Sequence, residues 1–515
     1  MKIFEKQKIF LLLVLFVFLW GFLLRVVEVA NGNYLFGFDQ GRDYLAAYNI
    51  VENNKLTLIG AEVGAGSAGL SGLFHGPGYY YLIALMYYLF QSDPYGGLVL
   101  MFVFGIGTLL AVYMTTKRMF GTLGGFISLV LVSISPLIVS QSRFLWNHHP
   151  SSFFIVFCLY FVYKMKDRPR LYAPLAIFTA GIIYHFELAI AVPMMIGVFL
   201  SIVFIYRIKD IRTYGYLAVG SIIAFLPMII FEIRHGFTAV SGLWTYIFGA
   251  QSISRGIPVV RIADHFASYV NNARNSFAIE DGFLSERFYS FFIIAVIVLA
   301  LMYAVRTKEK KISLFIYTQF LILIVSYGVL LFLNNSIWDY YLLHAHFIYM
   351  YLTACVFAWI WKNRDVNKYY MIAGVVTLVV FLSMAKGTSM RMYRNIKYDF
   401  YDYGGIEKIK GKKFVVDYVY DGALGKPFNV FVFVPPIYTY PYDYLFLTYG
   451  KKKYGYAPGN IKEGLAYLII EKDPSKPWTY KGWLETVIKD GTTIDQTVLS
   501  SGHIVEKRLF ENIRQ

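Results

Sequence analysis

Long apolar runs are the feature of this sequence that most constrains its fold. Each run is long and apolar enough to cross a bilayer as a helix. Hydrophobic residues occupy 57% of the 515 positions and charged residues only 16%, whereas about a quarter of a typical soluble domain is charged. The composition therefore argues against a soluble globular enzyme. The eleven predicted spans are residues 9–27, 97–115, 121–140, 152–164, 171–184, 188–206, 214–231, 289–305, 312–333, 340–361 and 369–386.

The charge pattern predicts how these spans are oriented. The net charge is +16, which is typical of proteins that bind nucleic acid or a membrane surface, and the apolar content favours the membrane over nucleic acid. Short cytoplasmic loops collect Lys and Arg. All basic loops share one side with the N-terminus if the tyrosine-rich run 78–90 lies on the membrane surface instead of crossing it. We therefore expect a multi-pass protein of the cell membrane with a cytoplasmic N-terminus. The basic loops are 117–118, 164–170, 207–212, 306–311 and 361–368, and the outer segments are 28–96, 141–151, 232–288, 334–339 and the C-terminal tail.

The composition changes near Gly387, where apolar runs give way to mixed polar and β-branched segments. Segments FVVDYVYD, NVFVFVPP and AYLIIEKD have the alternation and the flanking turn residues of strands. The sequence therefore predicts two domains. Residues 1–387 form an all-α polytopic membrane domain of about eleven helices, and residues 388–515 form a small extracytoplasmic α/β domain.

The loop after the first span contains FDQGRDYLAAY, in which Asp39 and Asp43 are four residues apart with Arg42 between them. On a helix both acids would share one face. A carboxylate at the membrane surface can take a proton from an acceptor nucleophile, and a guanidinium suits a phosphate group. The alternative is a solvated helix start with local ion pairing, and spacing alone does not separate the two.

Further polar clusters lie at other predicted outer boundaries. His75 ends a glycine-rich segment, residues 60–78, whose glycines suit either a mobile active-site loop or a plain linker. Arg143, beside Asn147 and the pair His148–His149, is the better candidate for a phosphate partner, since adjacent histidines point apart on a helix and are weak evidence of metal.

Two more clusters border later spans. His185 and Glu187 lie at an outer hairpin and are candidates either for substrate binding or for a buried structural pair. Arg234 and His235, after Glu232, are candidates for binding or for snorkelling side chains. All these clusters fall on the predicted outer face, which suggests one cavity open to the lipid and to the external medium.

These residues resemble the motifs of membrane glycosyltransferases of the GT-C class, in particular the dolichyl-phosphate-mannose protein mannosyltransferase family and the bacterial lipid A aminoarabinose transferases. The resemblance covers roughly residues 1–390. The family's first outer loop carries an acidic pair, and Asp39 takes the position of its first acid, whereas Gln40 stands at the second and leaves Asp43 as the substitute. The sequence His75-Gly76-Pro77 resembles the family's His-Pro-Pro, and Ser142-Arg143 resembles its Ser-Arg.

The resemblance implies that a sugar is transferred from a polyprenyl-phosphate donor to an acceptor hydroxyl at the outer membrane face, with inversion at the anomeric carbon. It implies Asp39, or Asp43 in its place, as the carboxylate that activates the acceptor. The resemblance and the polar clusters together give the candidates for substrate binding, which are Arg42, His75, Arg143, His185, Glu187, Arg234 and His235. The acceptor is a protein, a lipid or a glycan. No metal ligand and no cofactor is specified, and a requirement for a divalent metal ion is left open. A flippase or transporter of lipid-linked oligosaccharide and an oligosaccharide ligase or polymerase are the alternatives.

Overall fold

The structure is a computed structural model, and it describes residues 2–63, 72–248, 259–332, 337–364, 370–401, 405–435 and 438–511. Most of these residues are helical, and the strands fall within the last hundred positions. The helices of the first 401 residues are α1 Lys2–Asn31, α2 Phe38–Val51, α3 Gly78–Leu89, α4 Tyr95–Ile134, α5 Pro136–Ser140, α6 Ser151–Lys164, α7 Pro169–Ile182, α8 Leu188–Leu200, α9 Ile211–Arg234, α10 Thr238–Phe248, α11 Val259–Asn275, α12 Glu286–Arg306, α13 Lys310–Leu330, α14 Leu343–Lys362 and α15 Tyr370–Tyr401.

Every predicted span coincides with one or more of these helices, which confirms the α-helical membrane fold. Within the described residues, eight helices are long and apolar enough to cross a membrane. The predicted number of eleven is not confirmed, because α6 and α7 have only 14 residues each. The run 78–90 forms the 12-residue helix α3, which is too short to span a bilayer.

Helix α4 contains two of the predicted spans, which run in opposite directions on either side of Gly121. The backbone there has φ 81°, a left-handed conformation that glycine adopts without steric cost. Ring contacts show the reversal: Phe22 of α1 lies against Phe102 at 5.4 Å, and Phe10, nearer the start of α1, lies against Phe126 at 5.6 Å. The two limbs therefore form an antiparallel pair with almost no loop between them.

Helix α14 lies at the centre of the membrane region. Of the most apolar 18-residue window around it, 89% is buried inside the protein, a larger share than in any other of the eight described candidate spans. It packs against α4, α6 and α12. The outer helices instead expose large apolar side chains, as expected for surfaces that face lipid.

The C-terminal region contains a four-stranded sheet and several short helices. Strand order is β1–β2–β4–β3; β1 and β2 are parallel and the other two pairings are antiparallel. The predicted strands at NVFVFVPP and AYLIIEKD are present. The elements are α16 Ile409–Ala423, β1 Asn429–Phe433, α17 Tyr440–Leu445, α18 Lys451–Tyr454, β2 Gly464–Ile470, α19 Thr479–Trp483, β3 Thr492–Val498 and β4 Ile504–Phe510.

The prediction of a strand at FVVDYVYD is wrong, because this segment lies within helix α16. Its buried residues Val415, Val416, Val419 and Tyr420 recur at the helical spacing of three to four residues. The predicted domain boundary at 387/388 falls inside α15, which continues without interruption to Tyr401, and the division into two domains stays a prediction.

The C-terminal region packs directly onto α2 and α3 through a cluster of tyrosines. The rings of Tyr44 and Tyr87 contact the ring of Tyr444 at 5.3 and 6.5 Å. Gly41 allows this approach, since a Cβ atom at this position would lie 2.4 Å from the backbone nitrogen of Pro441. Helix α2 is therefore held between the membrane helices and the C-terminal region.

Candidate functional site

The predicted carboxylates of FDQGRDY lie together on the first two turns of α2. Arg42 contacts Asp39 at 2.9 Å and donates from Nε and Nη2 to Asp43 Oδ1 at 2.9 and 2.8 Å. The side chain of Asp39 is 31% exposed, whereas that of Asp43 is buried. The structure thus joins the three residues in one ion-pair cluster, with two negative charges around one positive charge.

Asp43 is incompletely satisfied within this cluster. Its Oδ2 atom is buried and makes no hydrogen bond of good geometry with the described residues, and the Tyr79 hydroxyl beside it, which has no other partner among them, acts to lower the pKa of Asp43. Burial raises the pKa of Asp43 to about 6, although Arg42 acts in the opposite direction. The carboxyl of Asp43 therefore changes charge within the range of physiological pH.

Gln40 fixes the start of α2 and the loop that faces it. Its Oε1 accepts from the Gly37 amide at 2.9 Å, and its Nε2 donates to the Leu145 carbonyl at 2.6 Å. The second bond places Trp146 beside α2. Gln40, which stands where the resembling family has its second acid, thus connects two chain segments and carries no charge.

A cavity of about 220 Å³ lies directly beside Asp39. One wall comes from α2 and the loop at Trp146, and the opposite wall comes from the C-terminal region. Its polar lining is Asp39, Gln40, Glu407, Lys412, Tyr438 and Glu471. None of the last four was predicted, because they are more than 360 positions from Asp39 in the sequence and no local pattern marks them.

The C-terminal wall holds a buried hydrogen-bonded network. Lys412 forms an ion pair with Glu471, and the Tyr442 hydroxyl donates to Glu471 Oε1 at 2.5 Å. His503 lies 3.5 Å from the same oxygen and contacts Ser501 through Nδ1 at 2.8 Å. Burial alone would raise the pKa of Glu471, but Lys412 and His503 together lower it to about 2. This carboxylate is therefore held in its charged form.

A second cavity, of about 690 Å³, lies on the other side of Leu35, which lines both. Arg143 lines it and donates from Nε to Glu28 at 2.7 Å. Arg391 lines it as well and has no carboxylate partner among the described residues. The remaining polar lining includes Ser140, Asn275, Glu280, Asp339, Thr388, Asn395 and Lys408.

His75 lies close to the α2 cluster. Burial and the charge of Arg42 lower its pKa to about 3, so that the ring is neutral at physiological pH. His148 stacks on Tyr340 at 4.3 Å with the rings 12° from parallel, and Trp146 lies 4.6 Å from His148. These rings thus form a row of aromatic side chains that leads from the small cavity towards His75. Within the predicted segment 60–78, residues 64–71 lie outside the described part of the chain.

His185 and Glu187 have structural partners. His185 Nδ1 accepts from the Gly78 amide at 3.1 Å, and its Nε2 contacts the Ala224 carbonyl at 2.9 Å. Glu187 accepts from the Ala189 amide at 3.2 Å and caps α8. Burial raises the pKa of Glu187 to about 7. The contacts of His185 join α3 to α9.

Arg234 and His235 are apart from the cluster. Both are exposed at the C-terminal end of α9, where the His235 ring stacks on Phe231 at 4.2 Å. Neither is among the described residues that line the two cavities beside Leu35. Of the predicted site residues, the structure therefore brings together Asp39, Arg42, Asp43 and His75, and it places Arg143 in the adjacent cavity.

The described residues include no group of three or more His, Cys, Asp or Glu side chains that could hold a metal ion. The arrangement offers the partly exposed carboxylate of Asp39 and the guanidinium of Arg42 between two acids. Further cations line the second cavity, on the other side of Leu35. Such a set can accept a proton from a hydroxyl and can stabilise an anionic leaving group.

Comparisons with known proteins agree with the fold and with the resemblance. Residues 74–231 match the family model described as dolichyl-phosphate-mannose-protein mannosyltransferase. The crystal structure of ArnT from Cupriavidus metallidurans bound to undecaprenyl phosphate superposes with a TM-score of 0.57, 10% identity and 98% of each chain covered. The same protein in the apo state gives 0.56, 12% and again 98% of each chain. No curated protein matches the sequence. The chain is a multi-pass membrane protein that shares the GT-C fold with ArnT and resembles the mannosyltransferase family.

Proposed function

We propose that this protein transfers a sugar from a polyprenyl-phosphate donor to an acceptor hydroxyl at the outer face of the membrane. The observation that carries the proposal is the Asp39–Arg42–Asp43 cluster at the wall of a small cavity. Two relatives support the donor class: the matched family model is named for dolichyl-phosphate-mannose, and the ArnT structure contains undecaprenyl phosphate.

Asp39 is the proposed base, because its carboxylate lines the cavity and remains partly exposed. The acceptor oxygen attacks the anomeric carbon, the bond from that carbon to the phosphate oxygen breaks, and the hydroxyl proton passes to Asp39. The polyprenyl phosphate leaves with the electron pair. Asp43 holds Arg42 in position and is the second candidate for the base.

The donor phosphate is assigned to the larger cavity. Arg143 and Arg391 line it, and planar guanidinium groups bind phosphate oxygens in pairs of hydrogen bonds. Leu137, Ala278 and Ile279 add apolar lining suited to a prenyl chain. The smaller cavity then receives the acceptor, and the reacting ends of the two substrates meet at Leu35, which lines both cavities. The His75 ring, which is neutral and buried, lies near Arg42 and helps to hold that side chain in place.

The test compares Asp39→Asn, Asp43→Asn and the exposed control Asp495→Asn in purified full-length protein. With labelled polyprenyl-phosphate sugars and candidate acceptors, Asp39→Asn is expected to lose about 100-fold or more in turnover per folded molecule while donor binding persists, as for loss of a general base. Near-normal turnover of Asp39→Asn with collapse of Asp43→Asn would transfer the role to Asp43.

Two outcomes would contradict the proposal more broadly. If both variants turn over normally, the α2 cluster has no part in the reaction. If the wild-type protein moves the lipid-linked sugar across vesicle membranes and releases no sugar to any acceptor, the flippase alternative is correct.

A further inference from the structure

A basic cavity lies at the end of the helix bundle opposite to α2. The first limb of α4 separates the two ends: it begins at Tyr95 and runs 26 residues to Phe120, which corresponds to roughly 40 Å of helix. Tyr163, near the end of α6, contacts Phe120 at 6.4 Å. The segment that follows α6 therefore lies far from the cavities beside Leu35.

The basic cavity has a volume of about 690 Å³ and is formed by two connections, the one between α6 and α7 and the one between α8 and α9. Arg170 joins them, because its Nε donates to Asp210 at 2.7 Å. Asp210 also accepts from the Thr213 hydroxyl at 2.9 Å. The opening is thus held by an ion pair between Arg170 and Asp210, which is the one acidic residue among the described residues that line the cavity.

Three further cations surround the cavity without any such partner. Arg168, Arg207 and Lys209 line it, and none has a carboxylate partner among the described residues. Helix α7, of 14 residues, begins at Pro169, which lines the cavity, and helix α9, of 24 residues, begins directly after the lining residue Asp210; helix N-termini attract anions. The charge at this place is therefore strongly positive and uncompensated.

Exposed apolar side chains accompany the cavity. Leu171 lines it and is 45% exposed, and Phe204 and Ile211, within two residues of the lining residues Tyr206 and Asp210, are 65% and 79% exposed. Leu171 and Ile211 belong to α7 and α9, and Phe204 lies in the π-helical turn Ser201–Ile205 that follows α8. Exposed apolar side chains at such a position contact acyl chains in a bilayer. A ligand that matches the whole site must therefore combine an anionic head with an apolar tail.

We propose that this cavity binds the headgroup of an anionic membrane phospholipid. The phosphate lies among Arg168, Arg207 and Lys209, and the acyl chains run along the exposed apolar side chains beside the cavity. Basic pockets between membrane helices recognise anionic lipid headgroups in this way. The site is distant from the α2 cluster and does not depend on the proposed sugar transfer.

The test uses the purified full-length protein in detergent and measures retained dioleoyl-phosphatidylglycerol by native mass spectrometry, with dioleoyl-phosphatidylcholine as the neutral lipid. Three cations are replaced at the cavity, and three equally exposed cations are replaced elsewhere at the same end as a matched control. The cavity variant is Arg168→Ala/Arg207→Ala/Lys209→Ala, and the control is Arg306→Ala/Lys308→Ala/Lys310→Ala.

The wild-type protein and the control are expected to retain phosphatidylglycerol in preference to phosphatidylcholine. The cavity variant is expected to bind phosphatidylglycerol about 100-fold more weakly, at roughly a factor of five for each cation near the phosphate. Equal losses in both variants would show general charge attraction, and binding of inorganic phosphate as tight as that of the lipid would show a soluble anion as the occupant. Either result overturns the proposal.

Photo-crosslinking keeps the test valid if the cavity variant does not fold. A photoactivatable phosphatidylglycerol added to the wild-type protein is expected to label residues 168–171 and 204–211. Labelling spread evenly over the other basic loops contradicts a defined site.

Discussion

Each wall of the small cavity carries a buried carboxyl beside a cation, but the pKa of the carboxyl is raised on one wall and lowered on the other. On α2, Asp43 shares Arg42 with Asp39, its Oδ2 has only the poorly aligned Tyr79 hydroxyl beside it among the described residues, and burial raises its pKa to about 6. On the C-terminal wall, burial also opposes the charge of Glu471, but Lys412, His503 and the Tyr442 hydroxyl surround it, and its pKa falls to about 2. The charges and donors around a buried carboxylate, and not its burial alone, decide the pH at which it titrates. One wall is suited to exchange a proton and the other to remain fixed.

The largest expected effect is a loss of stability when Lys412, the cation of the C-terminal wall, is replaced. Lys412→Met leaves the Glu471 carboxylate buried beside His503 without its main partner, which is expected to cost about 3–5 kcal/mol of unfolding free energy. The measurement is the thermal unfolding midpoint in detergent, and Lys412→Met/Glu471→Gln should recover most of the loss. A single variant as stable as the wild type would mean that the ion pair does not hold this wall.

The same wall predicts an acid dependence of stability. Because the pKa of Glu471 is lowered from 4.5 to about 2 in the folded protein, its stabilisation is complete above pH 4.5 and is lost as the pH falls towards 2.

The titrating wall predicts a pH dependence of activity. Asp43 holds Arg42 only as a carboxylate, so turnover should rise with pH through about 6 and at pH 5 should be about one tenth of its plateau, for a carboxyl of pKa about 6. Stability moves in the opposite direction: since the folded pKa is raised above 3.8, the contribution of Asp43 is present below pH 3.8 and is lost as the pH rises through about 6. The check is a pH–rate profile in which Asp43→Asn lacks this acid limb. A limb that persists in Asp43→Asn belongs to another group.

Glu187 extends the comparison to a carboxyl with still fewer partners. Among the described residues its carboxylate accepts one hydrogen bond, from the Ala189 amide at 3.2 Å, and burial raises its pKa from 4.5 to about 7. Its stabilising contribution is therefore lost as the pH rises from 4.5 through about 7. Glu187→Gln is expected to raise the unfolding midpoint by about 1 °C at pH 8, in line with about 1 kcal/mol after the weaker cap is deducted, and to leave it unchanged at pH 5. A lower midpoint at pH 8 would show that the charged cap is required.

Much of the membrane fold could be predicted from the sequence, because a bilayer admits few backbone arrangements for long apolar runs. The acidic cluster could also be predicted, since Asp39, Arg42 and Asp43 interact within one helix and their spacing in the sequence determines their proximity. Lys412 and Glu471 could not be found in this way, because the fold alone brings them to α2. The strand prediction at residues 414–421 failed because β-branched and aromatic residues suit a strand locally, whereas packing against residues 440–450 selects a helix.

Gly41 has a mechanical consequence for the two walls. The backbone of α2 and the backbone at Pro441 are so close that no side chain fits between them. A displacement of one backbone cannot be absorbed by rotation of an intervening side chain, and it must shift the other. Asp39 is two residues from this contact. A ligand that moves the C-terminal region would therefore also move Asp39, the proposed base, so that binding at one wall of the cavity changes the position of the carboxylate on the other.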